Sequence, residues 1–160
     1  MVRRNNTFIR KYTEADIEQL LEMGVREIPK LPNYANVNVD RDRLKFLLTN
    51  NVRDESGFMV RILIAPDGSI VGGIAAYCVT QILSWDKSTG DIFLFIDPKW
   101  RSLQNAVDLI TSYVIWAKER GATLIQATHT SGYRGPEMDE LLRKHCGFQV
   151  VGTLYRIHNV

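Results

Sequence analysis

Asp91-Ile92-Phe93-Leu94-Phe95-Ile96-Asp97-Pro98-Lys99-Trp100-Arg101-Ser102-Leu103-Gln104-Asn105-Ala106 is the stretch on which the fold turns. Asp91 to Ile96 is rich in strand formers, and Asp97-Pro98 ends the run because proline has no N–H to give to a ladder. Ser102 reads as a helix cap. Leu103, Ala106, Val107, Ile110, Val114 and Ala117 then share one face of a long amphipathic helix, which Gly121 stops. Thr123 to Thr128 is the next strand. A strand, a helix and a strand in this order predict a parallel pair joined by a crossover.

Upstream, Phe58 to Ala65, the turn Pro66-Asp67-Gly68 and the long run Ile70 to Leu83 predict two strands, and Lys87 to Gly90 a turn into the third. Short connections make these three an antiparallel meander. Gly72-Gly73 predicts a bulge or a close backbone approach. Phe8-Ile9-Arg10 is a short strand entering the capped helix start Thr13-Glu14-Ala15-Asp16, with Ile17, Leu20 and Leu21 on one face. Pro29, Pro32 and Asn33 make Ile28 to Asn38 a loop. A second helix begins near Asp40 with Leu44, Leu47 and Leu48 inward. Downstream, Gly135-Pro136-Glu137 opens a last helix that Gly147 ends, and Gln149 to Ile157 alternates as a closing strand. The sum is an α/β chain: one domain over residues 1–160, a central mixed sheet with helices on both faces.

Hydrophobic residues make up 45% and charged residues 24% of the 160, an ordinary globular balance. A formal net charge of +2 is too small to argue for a nucleic-acid or anionic-membrane partner, and neither is expected. Arg3-Arg4 is followed by polar Asn5-Asn6 rather than a signal sequence, and Ile70 to Leu83 is too short to span a bilayer. Cys78 and Cys146 lack ligand spacing, so the expectation is a reduced, cytoplasmic chain with no metal. There is no Walker loop, nucleophile elbow, HExxH or paired CxxC.

Three segments resemble the GNAT acetyltransferase superfamily: Phe8-Ile9-Arg10 with Thr13 to Ile17, Leu94 to Arg101, and Leu141-Leu142-Arg143-Lys144-His145-Cys146-Gly147-Phe148. They look like that family's opening strand and helix, its central strand with proline turn and phosphate-loop arginine, and the approach to its glycine-phenylalanine pair. Trp116 to Ala122 and Gly147 to Tyr155 also look like phage-encoded members. The resemblance implies an N-acetyltransferase that moves acetyl from acetyl-CoA directly to an amine acceptor. It also implies that Leu94, Phe95 and Ile96 meet the pantetheine arm, and that Arg101, Ser102, Leu103, Gln104, Asn105 and Ala106 hold the pyrophosphate. A helix N-terminus suits that task, with free amides and a partial positive charge. Ser102 and Gln104 stand where family members usually carry glycine.

Acetyl transfer needs a neutral amine, a stabilised oxyanion and a proton for the leaving thiolate. At the family's strand carboxylate this chain has Ile92 and Phe93; Asp91 is one residue off, which in a regular strand reverses the side chain. The usual tyrosine of the last helix is replaced by Arg143, whose bland reading is a solvated helix face. Asp91, His129 and Tyr133 are the remaining candidates for acid or base, each expected to contribute modestly beside proximity and backbone donors. The competing reading is a catalytically inactive GNAT-fold binding or structural protein. Acceptor identity stays open, and so does a homodimer.

Overall fold

The computed structural model describes residues 6–129 and 134–157. Five strands, β1 (Phe8–Lys11), β2 (Phe58–Ile64), β3 (Ile70–Thr80), β4 (Lys87–Ile96) and β5 (Ala122–Gln126), form one sheet in chain order. β1 to β4 pair antiparallel in succession and β5 runs parallel to β4, so the sheet is mixed, as the sequence predicts. Helices α1 (Ile17–Glu27) and α2 (Arg41–Asn51) follow β1. Helix α3 (Leu103–Glu119) joins β4 to β5, and α4 (Gly135–Glu140) widens into a π turn over Leu141–His145.

The alternation of β2 explains why both faces of the sheet are covered. Val60, Ile62 and Ile64 join Leu21, Met23 and Leu48 of α1 and α2 on one side. Met59 and Leu63 join Leu109, Ile110, Tyr113 and Trp116 of α3 on the other. Successive strand side chains point to opposite faces, so a strand buried on both must be apolar almost throughout. Burial of each large aliphatic side chain contributes about 1.5–3 kcal/mol.

Local chemistry fixes the joints. Thr13 donates its amide and hydroxyl to Asp16 at 2.7 and 2.9 Å, and Arg10 closes a two-pronged bond on the same carboxylate at 2.7 and 3.0 Å. A Cβ on Gly24 would lie 2.7 Å from Leu44 Cδ2, so glycine is what lets α1 and α2 touch there. Gly72-Gly73 meets both expectations. Val71 is skipped between the pairs Leu63–Gly72 and Ile64–Ile70, which is a bulge. A Cβ at Gly72 or Gly73 would approach backbone oxygens of Phe95 or Arg61 to 2.7 or 2.8 Å.

Three expectations are corrected. Lys87 to Gly90 is the start of β4, and the reversal lies at residues 81–86, where Gln81 N–H bonds Asp86 O at 2.9 Å. On α3 the expected inward face fails only at Leu103, which is exposed; Ile110 and Ala117 are buried, Ala106, Val107 and Val114 pack on the core, and Leu109, Tyr113 and Trp116 join them. The Tyr113 and Trp116 rings add large apolar area to that core, and their polar atoms find partners in Gln126 O and Glu55 O. Gln149 to Ile157 is not a strand; it pairs with nothing in the sheet. Among the described residues no helix is long and apolar enough to cross a membrane.

Candidate active site

The backbone opens where β4 leaves β5. The two strands pair at Ser88–Leu124, Thr89–Ile125 and Gly90–Gln126 and no further, while Asp91 to Ile96 stay hydrogen-bonded to β3 on their other side. Tyr113 stands at the fork. Its buried hydroxyl donates to Gln126 O at 2.7 Å and lies 3.0 Å from Thr89 Oγ1. Burial pushes its pKa up to about 12, so it remains a donor at neutral pH.

Asp91 owes its direction to a bulge. Ala75 faces Phe93 and Ala76 faces Asp91, so Ile92 is an extra residue with no partner on β3. Ile74 faces Leu94, and Ile74 and Ala76 share a face two residues apart, which places Asp91 on the same face as Leu94. The expected reversal from a one-residue offset therefore does not occur. Asp91 Oδ1 accepts the Thr128 amide at 2.7 Å and lies 3.4 Å from the Thr128 hydroxyl, bridging the gap between the parted strands. Burial raises the Asp91 pKa; the Thr128 bonds and the charge of nearby His129 oppose the shift without cancelling it. A small cavity of about 10 Å³ beside the carboxylate is lined by Leu94, Tyr113, Ala127, Met138 and Leu142.

His129 is exposed and acts electrostatically on both Asp91 and Asp139, so the fold brings two of the three acid–base candidates together. Tyr133 lies outside the described residues. Arg143 is exposed and pairs with Asp139 at 2.7 Å along its own helix, the solvated-face arrangement.

After Ile96, Asp97 donates its amide to Val71 O at 2.8 Å and accepts from the Lys99 amide at 2.9 Å, and one 3₁₀ turn leads to Ser102. Ser102 Oγ caps the Asn105 amide at 3.0 Å, and Ser102 O takes the Ala106 amide at 3.2 Å. The Asn105 side chain is buried, donating to Trp100 O at 2.7 Å and accepting from Thr7 at 2.8 Å. Asn105 and Ala106 thus build the turn, while helix geometry gives the amides of Leu103 and Gln104 no acceptor within α3. The Gln104 side chain lies along the helix, 2.6 Å from Asp108, rather than over those amides. Arg101 Nε bonds Ile96 O at 3.0 Å and keeps the guanidinium beside the end of β4.

A wider groove of about 400 Å³ lies between β1 and α3, but its charged side chains are engaged. Arg10 pairs with Asp16, Lys11 and Arg61 with Glu55, and Asp108 with Gln104, which leaves it no poised chemistry. Among the described residues no group of three His, Cys, Asp or Glu is placed to hold a metal ion. Sequence reading passed over Tyr113 and Thr128. The spacing of Tyr113 from Ile110 and Trp116 was a signal for the first, and nothing local marks the second.

No protein-family model matches the chain, and no curated protein matches it in sequence. Solved structures do. AAC(6')-Iy, in complex with the bisubstrate analog CoA-S-monomethyl-acetylneamine, superposes at TM-score 0.73 with 15% identity, over 97% of this chain and 99% of that one. An aminoglycoside acetyltransferase, HMB0005, from an uncultured soil metagenomic sample gives 0.72 and 16%, over 97% and 99%. Glucosamine-6-phosphate N-acetyltransferase from Arabidopsis thaliana gives 0.72 and 11%, over 96% and 98%. The protein has the GNAT fold, the α/β architecture that the sequence resemblance implies.

Proposed function

We propose that this protein is an N-acetyltransferase that uses acetyl-CoA as cosubstrate and passes the acetyl group directly to an amine. The observation that carries this reading is the fork at Gly90 and Gln126. It frees one edge of Asp91 to Ile96 for an extended ligand, and α3 begins just past its end. Leu94, Phe95 and Ile96 would meet the pantetheine arm through backbone groups on that edge. The amides of Leu103 and Gln104, with Ser102 as cap and Arg101 adding charge, would hold the pyrophosphate.

In the reaction the amine nitrogen attacks the thioester carbonyl carbon, the C–S bond breaks, and the amine proton leaves. Asp91 is the group to accept that proton, directly or through one water, because its raised pKa makes it a better base than an exposed aspartate. His129, exposed and near enough to act on Asp91 electrostatically, would relay the proton to solvent. The coenzyme A thiolate takes up a proton in turn. Positioning on the fork supplies most of the rate, since proximity alone is worth roughly 7–11 kcal/mol in favourable cases. A second reading, a GNAT-fold binding protein without turnover, draws on Arg143, which stands where the family places an acid and is paired with Asp139.

Calorimetric titration with acetyl-CoA and CoA, followed by a coenzyme A release assay over a panel of primary amines, tests both. Saturable binding with release dependent on an amine is expected. Binding without release from any amine supports the second reading, and absence of binding overturns the first.

A further inference from the structure

Under the proposed function, a ligand held at the start of α3 and laid along the free edge of Asp91 to Ile96 can run no further than Gly90, where β5 closes that edge. Its reacting end therefore lies at the fork, and the acceptor has to reach it from one face of the sheet. The α3 face is shut. The space beside Asp91 there is about 10 Å³, walled by Tyr113, Met138 and Leu142, which is room for about one water.

The opposite face is open and aromatic. Ala75 faces Phe93 and Tyr77 faces Gly90 across β3 and β4, and residues two apart on a strand share a face. Tyr77 and Phe93 thus stand side by side, away from Asp91, with Phe95 stacked on Phe93 at 6.2 Å. The core under α1 and α2 takes in Ala75 and Phe95 but neither Tyr77 nor Phe93. Tyr77 is 37% exposed and Phe93 half-buried. A Cβ on Gly90 would lie 2.7–2.9 Å from the Tyr77 ring and hydroxyl, so glycine is what lets that ring rest on the last residue before the fork. The Tyr77 hydroxyl also acts electrostatically on that of Tyr113 from the other side of the sheet, which places it at the vertex. From Gly73 to Tyr77 and from Gly90 to Phe95 this face carries no charged side chain. The carboxylates of α1 are already paired, Glu18 and Glu22 with Arg41 and Glu27 with Arg26 and Lys30.

We propose that the acceptor is an aromatic monoamine whose ring rests on Tyr77 and Phe93 while its nitrogen enters the fork opposite Asp91, and that these two rings set the specificity. Aromatic faces give apolar contact in offset or edge-on geometry, and their negative faces attract an arriving ammonium group. A polycation needs several carboxylates to replace its water, and neither this face nor α1 offers it a free one. The chemistry of this inference rests on the acetyl-transfer reading; the seat for the ring does not.

Calorimetric titration of phenethylamine, spermidine and kanamycin into the full chain in the presence of CoA reads the seat without turnover. Phenethylamine is expected to bind about tenfold or more tightly than either polycation. That comparison uses the parent chain alone, so it stands if a variant fails to fold. Tyr77→Ala and Phe93→Ala should each weaken phenethylamine about tenfold and leave CoA affinity within about twofold. Tyr77→Phe keeps the ring and should recover most of the loss. In the coenzyme A release assay the two alanine variants should raise KM for phenethylamine and leave kcat within about threefold. Tighter binding of spermidine or kanamycin overturns the inference, as do alanine variants that bind phenethylamine like the parent. Phenethylamine that binds on these rings and is not acetylated upholds the seat and counts against the acetyl-transfer reading. Acetylation of the polycations alone does the reverse.

Discussion

At the scale of single residues, two aspartates show how environment sets what a carboxylate does. Asp91 is pushed up by burial, so its ionised form costs stability at neutral pH. A raised folded-state pKa favours the protonated form: its stabilising effect is present below the unfolded pKa and is lost as pH rises through the folded one. Asp91→Asn keeps an oxygen for the Thr128 amide and removes the charge. It should therefore leave Tm unchanged or higher while kcat falls about a hundredfold, the low end for losing an acid–base group. The acidic limb of the pH–rate profile, set by Asp91 above the ordinary aspartate range, should vanish with it. A rate profile identical to the parent's would remove Asp91 from the chemistry. Asp16 is the opposite case. The Arg10 hydrogen bond, aided by the Thr13 bonds and opposed by partial burial, holds its pKa near 2. A depressed pKa stabilises the fold above the unfolded value, and the effect is lost as pH falls through about 2. Arg10 is 37% exposed, so solvent screens the pair; Asp16→Asn should cost about 1–2 kcal/mol at pH 7. Chemical denaturation of parent and variant should converge as pH falls below 4 and toward 2.

At the scale of elements, α3 serves the core along its length and, under the proposed function, the phosphate site at its first turn. Leu103 is 53% exposed at the first helical position. Leu103→Glu puts a negative charge where the helix dipole favours it, so stability should hold or rise by a few tenths of a kcal/mol. The same charge would face the pyrophosphate and should weaken acetyl-CoA binding by roughly tenfold or more, since 1.4 kcal/mol is a factor of ten. Calorimetry beside thermal melting reads the two opposite signs. Undiminished affinity would move the phosphate site off α3. Ala106→Glu is a poorer probe, because Ala106 packs on the core and its amide is already bonded.

The whole molecule is a mixed five-stranded sheet whose last two strands part after Gly90 and Gln126, and that fork carries the proposed function. Much of this was legible in the chain itself. The near-continuous apolar run of β2, the amphipathic α3, the stop at Asp97-Pro98 and the Ser102 cap follow from local propensity and spacing, which act over a few residues and are written in them. So the element order, the mixed sheet and the place of the loop were readable before any contact was known. What tertiary structure alone decided are relations between distant segments. The Ile92 bulge is defined only by its register against Ala75 and Ala76, and it turned Asp91 toward Leu94. The fork is made by Tyr113 reaching Gln126, thirteen residues on, and by Asp91 taking the Thr128 amide. The alternating 149–157 segment carried a sound strand pattern, yet a strand exists only where a neighbouring edge supplies its hydrogen bonds, and no edge of its own sheet does so. Pattern determines which face a residue prefers; only packing determines what it meets there.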